Sequence, residues 1–347
     1  MSGLRVIIPC VDEARVLPAL FSDLSGQLNV ECEIWLADGG SRDDSVAIAE
    51  AAGATVLHCE RGRGRQMNRA AAAAGDGELL FLHADSRLES RHQLEQALAM
   101  IATARQQLRG APVAGHFALR FDGQSAAHAP LYEHMECKSR LNRRLTINGD
   151  QGLLIHSDDF HALGGFDEQL PFLEDLRFAN RVFDRGHWIR LPGALHTSAR
   201  RFEAEGPRQR YLLMGLIGTM NEVGLPAFFD DAGALYAEQA RARGLELAPW
   251  VSRARRLLVG GGPGAAMRQL WRLGRATRGQ FWHLPYWIDR ARGRRVPGPA
   301  MSAWDRRWAR LFDNPIGTAL GALIGAALIY GPFVWWWAER GARNPEA

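Results

Sequence analysis

The sequence predicts an α/β fold with a doubly wound, mostly parallel, Rossmann-like sheet, followed by a helical C-terminal region that associates with a membrane. Short apolar runs alternate with helix-like stretches in the first half of the 347-residue chain. This alternation is typical of parallel strands joined by right-handed helical crossovers. Polar residues follow each of these apolar runs, and a long stretch near the C-terminus carries no charge.

The elements of the first half follow from their periodicity and their boundary residues. Strands are indicated by "LRVIIP", "CEIWLAD", "ATVLHCE" and "GELLFLHAD", and helices by "SRDDSVAIAEAAG" and "RQMNRAAAAAG". The first helix opens on serine and aspartate and closes on glycine, which are the usual start and stop signals. Further along, "LEDLRFANRVFDRG" has the apolar spacing of an amphipathic helix.

Polar side chains stand where the predicted strands end. Asp12 and Glu13 follow the first strand, Asp38 the second, "ERGRGR" the third, and His83 and Asp85 the fourth. In a doubly wound sheet, ligands bind beyond the carboxyl ends of the strands, so we expect these residues to form the site. A dinucleotide fold would carry Gly-x-Gly-x-x-Gly after the first strand, and "PCVDEA" in that place argues against one.

The "ERGRGR" turn alternates glycine and arginine before a predicted helix. Backbone N–H groups at Gly62 and Gly64, together with the guanidinium groups of Arg63 and Arg65, suit a diphosphate. The alternative is a solvated basic loop.

Two further groups of polar residues come later in the chain. Glu174 and Asp175 lie in the first turn of the amphipathic helix, where acidic side chains also simply stabilise the helix dipole. His196, Arg200 and Arg201 follow in "ALHTSARRFEAEG".

The chain-wide composition narrows the class of protein. The formal charge is +4, and Lys138 is the only lysine, so arginine supplies nearly all the positive charge. Arginine makes bidentate contacts with phosphate, although arginine bias also follows genome composition. Four scattered cysteines indicate a reducing compartment and no zinc site. The chain enters a strand pattern at once, so we expect no signal peptide.

The C-terminal third predicts a membrane association. Residues 314–338 contain no charge, end in three tryptophans and have arginines on both sides, a pattern typical of a membrane helix. Before them, an Arg/Trp-rich segment suits a membrane surface more than a nucleic acid. The alternative is a glycine-rich helix buried in a core. We therefore predict a catalytic domain over 1–225, an interfacial helical region over 226–312, a membrane-anchoring helix over 313–338 and a short polar tail over 339–347.

Five motifs in register resemble one known family. The motifs are "VIIPCVDEA", "ADGGSRDDS", "GRGRQMN", "LFLHADS" and "GGFDEQLPFLEDLRF". Together they resemble the family 2 glycosyltransferases of the GT-A fold over residues 4 to about 205. The sequence looks closest to the bacterial radical-SAM/selenodomain-associated transferases, for which "GRGRQMN" and "LFLHAD" are typical. The resemblance implies transfer of a sugar from a nucleotide-diphosphate donor.

The resemblance also implies roles for individual residues. Pro9, Glu13 and Asp38 would line the nucleoside pocket beside Asp12, with Asp38 reaching the base, and Arg63 and Arg65 would stand near the diphosphate. The family's Asp-x-Asp motif falls on His83, Ala84 and Asp85. Asp85 would ligate Mg²⁺ or Mn²⁺, while His83, a departure from the motif, would contact ribose or metal. His196 is a candidate second metal ligand.

The family's Glu-Asp pair falls on Glu174 and Asp175, which makes Asp175 the expected catalytic base. A base of this kind is required because the acceptor hydroxyl must lose its proton as it attacks the anomeric carbon. Arg200 and Arg201 would contact phosphate or acceptor, or else lie on the surface.

The expected protein is thus a metal-dependent, inverting glycosyltransferase at the cytoplasmic face of a bacterial inner membrane, with a lipid or lipid-linked acceptor. A nucleotidyltransferase and a degenerate nucleotide-binding membrane protein are the alternatives. Donor sugar, base, acceptor and oligomeric state stay open, as does whether the C-terminal helix spans the membrane.

Overall fold

The computed structural model describes residues 3–108, 110–169, 172–230, 245–294 and 296–331. The chain divides into two compact units, Met1–Ala199 and Arg200–Ala347. The predicted domain boundaries at residues 225, 312 and 338 stay predictions. The predicted tail over 339–347 lies outside the described residues.

The first unit contains an eight-stranded mixed sheet. Its strands are β1 Gly3–Cys10, β2 Glu31–Asp38, β3 Thr55–His58, β4 Glu78–Phe81, β5 Arg87–Leu88, β6 Val113–Asp122, β7 Leu153–His156 and β8 His187–Ser198. Their order across the sheet is β3-β2-β1-β4-β7-β6-β8-β5. The central strand β1 is a continuous apolar run, with Val6, Ile7 and Ile8 fully buried, as expected for a strand covered on both faces.

The predicted parallel arrangement holds for the first four strands. β1 pairs in parallel with β2 and β4, and β2 pairs in parallel with β3. The other half is mixed, because β7 runs antiparallel to both β4 and β6, while β6 and β8 are parallel. Strand direction depends on how distant segments pair, which local periodicity does not encode.

Helices of the first unit cover the sheet. They are α1 Leu17–Ser25, α2 Ser45–Ala51, α3 Arg63–Ala74, α4 Gln93–Gln107, α5 Ala129–Ser139, α6 Ser157–Ala162 and α7 Glu174–Arg185. Two of them begin elsewhere than predicted. α2 starts only at Ser45, after a loop that Asp43 holds by accepting hydrogen bonds from Ser45 and Ala14. α3 starts earlier, at Arg63, so half of the predicted "ERGRGR" turn is helical.

An aromatic cluster forms the core behind β4. Phe160 packs against Phe81, Phe166 and Phe178 with ring centroids 5.0, 5.3 and 5.3 Å apart. Buried aromatic rings at these separations contribute both apolar area and favourable ring geometry. This cluster fixes the start of α7 against the end of β4, which brings two predicted site segments to one place.

The second unit is helical in its described residues. Its helices are α8 Arg200–Glu205, α9 Pro207–Val223, α10 Ala248–Val259, α11 Pro263–Arg278, α12 His283–Ala291, α13 Pro299–Ala303, α14 Ala309–Phe312 and α15 Pro315–Tyr330. A π-helical turn, Trp304–Trp308, joins α13 to α14.

Helix α15 packs on α11 through backbone contact. A Cβ atom added at Gly321 would stand 2.3 Å from the Gly274 carbonyl oxygen, and one at Gly274 would stand 2.3 Å from the Thr318 carbonyl oxygen. The other face of α15 is exposed, with Ile316 at 81% and Leu323 at 71%. The glycines therefore permit close packing of α15 on α11. The apolar residues on the other face of α15 are not covered by the residues that the structure describes.

The predicted membrane helix over 313–338 is described only in part. Among the described residues, no single helix has the length and apolar character to cross a membrane, while the stretches Pro299–Phe312 and Pro315–Tyr330, bent by 101°, satisfy both criteria as a pair. The three tryptophans of the predicted segment lie outside the described residues.

Candidate active site

The ends of the parallel strands stand side by side, as predicted. Cys10 at the end of β1 pairs with Asp38 at the end of β2, which pairs in turn with His58 at the end of β3. The backbone N–H of Leu82, just past β4, donates to the Ile7 carbonyl. The loops after these four strands therefore leave the same edge of the sheet.

Asp38 is nearly fully buried and holds the loop that follows it. Its carboxylate accepts backbone hydrogen bonds from Gly40 at 3.1 Å and Ser41 at 3.0 Å, and lies 3.4 Å from the His58 ring. Burial by itself would raise the pKa of Asp38, but the bonds from Ser41, Gly40 and His58 outweigh it and leave the pKa lowered. The carboxylate is therefore ionised and fixed. Its predicted contact with a nucleoside base stays a prediction.

The loop after β1 is fastened to the loop after β2. Asp12 accepts from the Arg42 backbone N–H at 2.7 Å and has a positive φ of 56°. The Glu13 backbone N–H donates to Ser45 Oγ at 2.8 Å. Pro9 lies on β1, half-buried. Asp12, Glu13 and Pro9 thus border two loops that hydrogen bonds join next to Asp38, and their role in a nucleoside pocket stays a prediction.

The glycines before and within α3 have packing roles. Gly62 has a φ of 148°, a conformation that favours glycine. A Cβ atom at Gly64 would stand 2.6 Å from the Asp167 carbonyl oxygen and 3.3 Å from Glu174 Cβ. Gly64 therefore lets α3 approach the start of α7. Their predicted use for a diphosphate stays a prediction.

The two predicted arginines of α3 have different surroundings. Arg63 Nη1 lies 3.3 Å from Glu174 Oε1, an ion pair without hydrogen-bond geometry. Arg65 forms an ion pair with Glu60 and lies 3.7 Å from Glu168. Arg63 therefore points towards the acidic pair of α7, whereas Arg65 is held by two surface acids.

Glu174 and Asp175 differ in accessibility. Glu174 is 1% exposed, and burial together with the neighbouring Asp175 charge raises its pKa, against the opposing charge of Arg63. Asp175 is half-buried, and its oxygens Oδ2 and Oδ1 accept backbone hydrogen bonds from Gly149 at 2.6 Å and Leu176 at 2.7 Å. Asp175 is therefore the acid of the pair with a fixed and accessible carboxylate.

A short turn that the sequence analysis did not single out reaches both His83 and Asp175. Gly149 donates to Asp175, and Asp150 Oδ1 lies 2.8 Å from His83 Nδ1. Burial lowers the pKa of His83, but the hydrogen bond that its ring donates to Asp150 and the charges of Asp150 and Asp85 leave the pKa raised. The available signal was "NGDQG", two glycines around polar residues directly before a buried strand.

A cavity lies where these elements meet. Its apolar walls include Met67, Phe81 and Trp188, and its polar lining includes His83, Gly149, Glu174 and Asp175. A mostly apolar cavity with a few converging polar groups is typical of a small-molecule site. Two predicted segments, the end of β4 and the start of α7, are thus brought to one cavity.

The described residues fit a metal only through Asp85. This half-buried carboxylate makes no hydrogen bond or ion pair to the residues that the structure describes. Among those residues there is no group of three or more His, Cys, Asp or Glu that could hold a metal ion. Mg²⁺ is commonly held by one or two carboxylates with substrate phosphates supplying further oxygens, and Asp85 suits that mode. His196 Nδ1 is 2.9 Å from Asp122 Oδ1, and its metal role stays a prediction.

Arg200 and Arg201 belong to the second unit, at the start of α8. Both are exposed, and Arg201 Nε donates to Glu205 Oε1 at 2.9 Å, one helical turn away. Their predicted contact with phosphate or acceptor stays a prediction.

Comparison with known proteins relates most of the first unit to a glycosyltransferase family. Residues 5–164 match the family model described as "Glycosyl transferase family 2". The match covers less than half of the chain, so residues 5–164 are similar to family 2 glycosyltransferases, and the acidic pair of α7 lies just beyond the matched residues.

Curated relatives match over a shorter stretch. A "PGL/p-HBAD biosynthesis glycosyltransferase" of Mycobacterium bovis is 33% identical over 103 residues, which are 28% of this chain and 40% of the relative. A TPR repeat-containing protein of Synechococcus elongatus is 37% identical over 100 residues, 26% of this chain and 24% of the relative. The matched stretch therefore spans less than half the length of these relatives.

Solved structures resemble the chain more distantly. A mannosyltransferase of Pyrobaculum calidifontis in complex with GDP-Man and Mn²⁺ is 16% identical with a TM-score of 0.48, covering 94% of this chain and 86% of that one. TarS of S. aureus in complex with UDP-GlcNAc is 13% identical with a TM-score of 0.46, covering 82% and 83%.

Proposed function

We propose that this protein is a metal-dependent, inverting glycosyltransferase that moves a sugar from a nucleotide-diphosphate donor to a hydroxyl or phosphate acceptor. One observation carries the proposal. The Asp175 carboxylate, held by the backbone N–H of Gly149 at 2.6 Å, lines the same cavity as His83 from the end of β4. The acceptor hydroxyl must lose its proton close to the bound donor. A fixed carboxylate in this cavity, beside the strand ends that would bind the donor, can accept that proton.

The proposed reaction is a single displacement. The acceptor hydroxyl gives its proton to Asp175, and its oxygen forms a bond to the anomeric carbon. The bond from that carbon to the diphosphate breaks, and its electron pair leaves with the diphosphate. Because one base acts on the face opposite the leaving group, the anomeric centre is inverted. General-base catalysis of this kind typically contributes about 10² to 10⁴ in rate.

Donor binding is assigned to the loops after β1 to β4. Asp38 is ionised and Asp12 and Glu13 border the same double loop, which supports a nucleoside pocket there. Arg63, at the first position of α3, is placed to approach the diphosphate while it balances Glu174. Asp85 would hold Mg²⁺ or Mn²⁺, which when bound neutralises charge on the departing diphosphate.

We also propose that the second unit attaches the chain to the cytoplasmic face of a bacterial inner membrane. The apolar face of α15 is exposed, and on α11 the residues Arg268, Arg272 and Arg275 line an open groove with Met267 and Trp271. None of these three arginines forms an ion pair with a residue that the structure describes. Basic side chains beside exposed apolar ones suit an anionic lipid surface. A lipid or lipid-linked acceptor follows from that location.

The finer family assignment is also part of the proposal. The motifs "GRGRQMN" and "LFLHAD" support the radical-SAM/selenodomain-associated subgroup. A nucleotidyltransferase is disfavoured by the family match and by "CVDEA" after β1, where such enzymes carry a basic, glycine-rich loop.

A donor screen tests the proposal. The full-length chain is heated with a panel of nucleotide sugars and Mn²⁺, and the donor class that raises the melting temperature is then assayed for release of its nucleoside diphosphate. A ligand at 100 times its Kd stabilises the fold by about 2.7 kcal/mol, which is easily measured. Absence of stabilisation by every donor class contradicts the proposal. Exchange of labelled pyrophosphate into the nucleotide would instead identify a nucleotidyltransferase.

A further inference from the structure

The turn Asn148–Gly152 is anchored from beneath by a buried glutamine. Gln151 is 0% exposed, and its Nε2 donates to the carbonyl oxygens of Ser139 at 2.8 Å and Phe117 at 3.2 Å. Its Oε1 accepts from the Asn148 backbone N–H at 3.1 Å. A buried amide with all these bonds made holds the turn firmly against β6 and α5, because breaking any one leaves a buried polar group unpaired.

A buried histidine completes the anchor. His116 Nε2 lies 2.5 Å from Asn142 Oδ1, and its Nδ1 lies 3.0 Å from Gln151 Nε2. His116 Nδ1 also lies 3.1 Å from the Phe117 carbonyl oxygen, so the ring belongs to the same buried hydrogen-bonding cluster as the Gln151 amide. Burial lowers the pKa of His116, which is consistent with a neutral ring.

From this anchored turn, two adjacent residues reach two different site segments. The backbone N–H of Gly149 donates to Asp175 Oδ2 at 2.6 Å, at the start of α7. The Asp150 carboxylate lies 2.8 Å from His83 Nδ1, just past β4.

Gly149 packs closely against both His83 and Asp175, so that no side chain fits at this position. A Cβ atom at Gly149 would stand 2.8 Å from His83 Nε2 and 3.1 Å from Asp175 Oδ2. Contacts under 3.0 Å force a displacement, and both neighbours are already fixed by hydrogen bonds. Glycine is therefore required at 149 by space, although its φ is not in the left-handed region.

We propose that Asp150 and Gly149 are positioning residues that hold His83 and Asp175 as one unit. The Asp150 carboxylate accepts a hydrogen bond from His83 Nδ1–H, which leaves Nε2 on the side of Asp175 and the cavity. The backbone N–H of Gly149, the preceding residue of the same turn, fixes the Asp175 carboxylate. The kinetic part of this inference rests on the proposed transfer, whereas the geometric part does not.

The geometric part is tested by NMR on the full chain labelled with ¹⁵N-histidine, with His83→Gln used to assign the His83 signal. At a pH where the ring is neutral, we expect the proton on Nδ1 in the wild type. In Asp150→Ala it should move to Nε2, and in Asp150→Asn it should stay, because the asparagine oxygen still accepts. A wild-type ring protonated on Nε2, or a tautomer unchanged in Asp150→Ala, overturns the inference.

The kinetic part uses the donor identified by the screen. We expect kcat to fall about 10- to 100-fold in Asp150→Ala, with recovery in Asp150→Asn, and about 100-fold in Gly149→Ala, while the donor KM changes little. Asp158→Ala is the matched control, an exposed carboxylate beside His156, and Gly215→Ala adds a methyl group into open space. Equal losses in the controls overturn the inference. If the wild type transfers no sugar at all, the proposed function fails, and the NMR result alone decides the inference.

Discussion

Replacing Asp175 with asparagine separates two roles of its carboxylate. Both oxygens accept backbone hydrogen bonds, Oδ2 from Gly149 and Oδ1 from Leu176. Asparagine has nearly the same shape but only one accepting oxygen, and its amide cannot take a proton from an acceptor hydroxyl. The substitution therefore removes the proposed base and leaves one backbone N–H facing an N–H₂ group.

Each role has its own magnitude. Loss of a general base lowers kcat by about 10² to 10⁴, which corresponds to roughly 3 to 5 kcal/mol of transition-state stabilisation. A buried N–H without an acceptor costs about 1 to 3 kcal/mol of stability. Because Gly149 is half-buried, water partly replaces the lost bond, and we expect a cost near the lower end of about 1 kcal/mol.

The two effects are measured separately. Nucleoside diphosphate release gives kcat, donor titration gives affinity, and urea unfolding gives stability, with Asp158→Asn as a matched exposed carboxylate. We expect donor affinity to survive, kcat to fall, and stability to drop slightly. A variant that turns over normally refutes the assignment of Asp175 as base and leaves only its role in the first turn of α7. A loss of stability without any fall in kcat would likewise refute the assignment of Asp175 as the base.

Three further predictions concern the metal, the half-buried Lys138 and the membrane. Chelation and Asp85→Asn should each abolish transfer and weaken donor binding, and full activity in excess EDTA would contradict the metal assignment. Burial lowers the pKa of Lys138 from 10.5 to about 8, so the unfolded chain binds more protons between these values and the free energy of unfolding should rise with pH there. At about 1.4 kcal/mol per pH unit the rise is at most about 3 kcal/mol, and Lys138→Gln should lack it in urea titrations; an equal rise in both proteins counts against the lowered pKa of Lys138. The full-length chain should float with anionic vesicles, and Leu323→Asp should weaken flotation while Met100→Asp, exposed in the first unit, should not; equal flotation of both variants would exclude the α15 face.

Local sequence patterns determined the elements that carry the site. Continuous apolar runs specified β1, β2 and β4, and the amphipathic spacing of "LEDLRFANRVFDRG" specified α7 over Glu174–Arg185. These predictions were confirmed because the spacing of apolar residues, two positions apart in a strand and three to four in a helix, decides which face of an element is buried. The parallel pairing of the first strands followed from the alternation of strands and helices.

Tertiary structure alone decided how the site is held together. The antiparallel direction of β7, the early start of α3 and the turn at Gly149 depend on contacts between segments far apart in the chain. Asp150 meets His83 across 67 positions and Gly149 meets Asp175 across 26. No periodicity encodes such pairs, because packing of the Phe160 cluster and the bonds of Gln151 bring them together only when the whole sheet has formed. The sequence therefore determined which groups could do chemistry, and the fold determined which of them share a cavity.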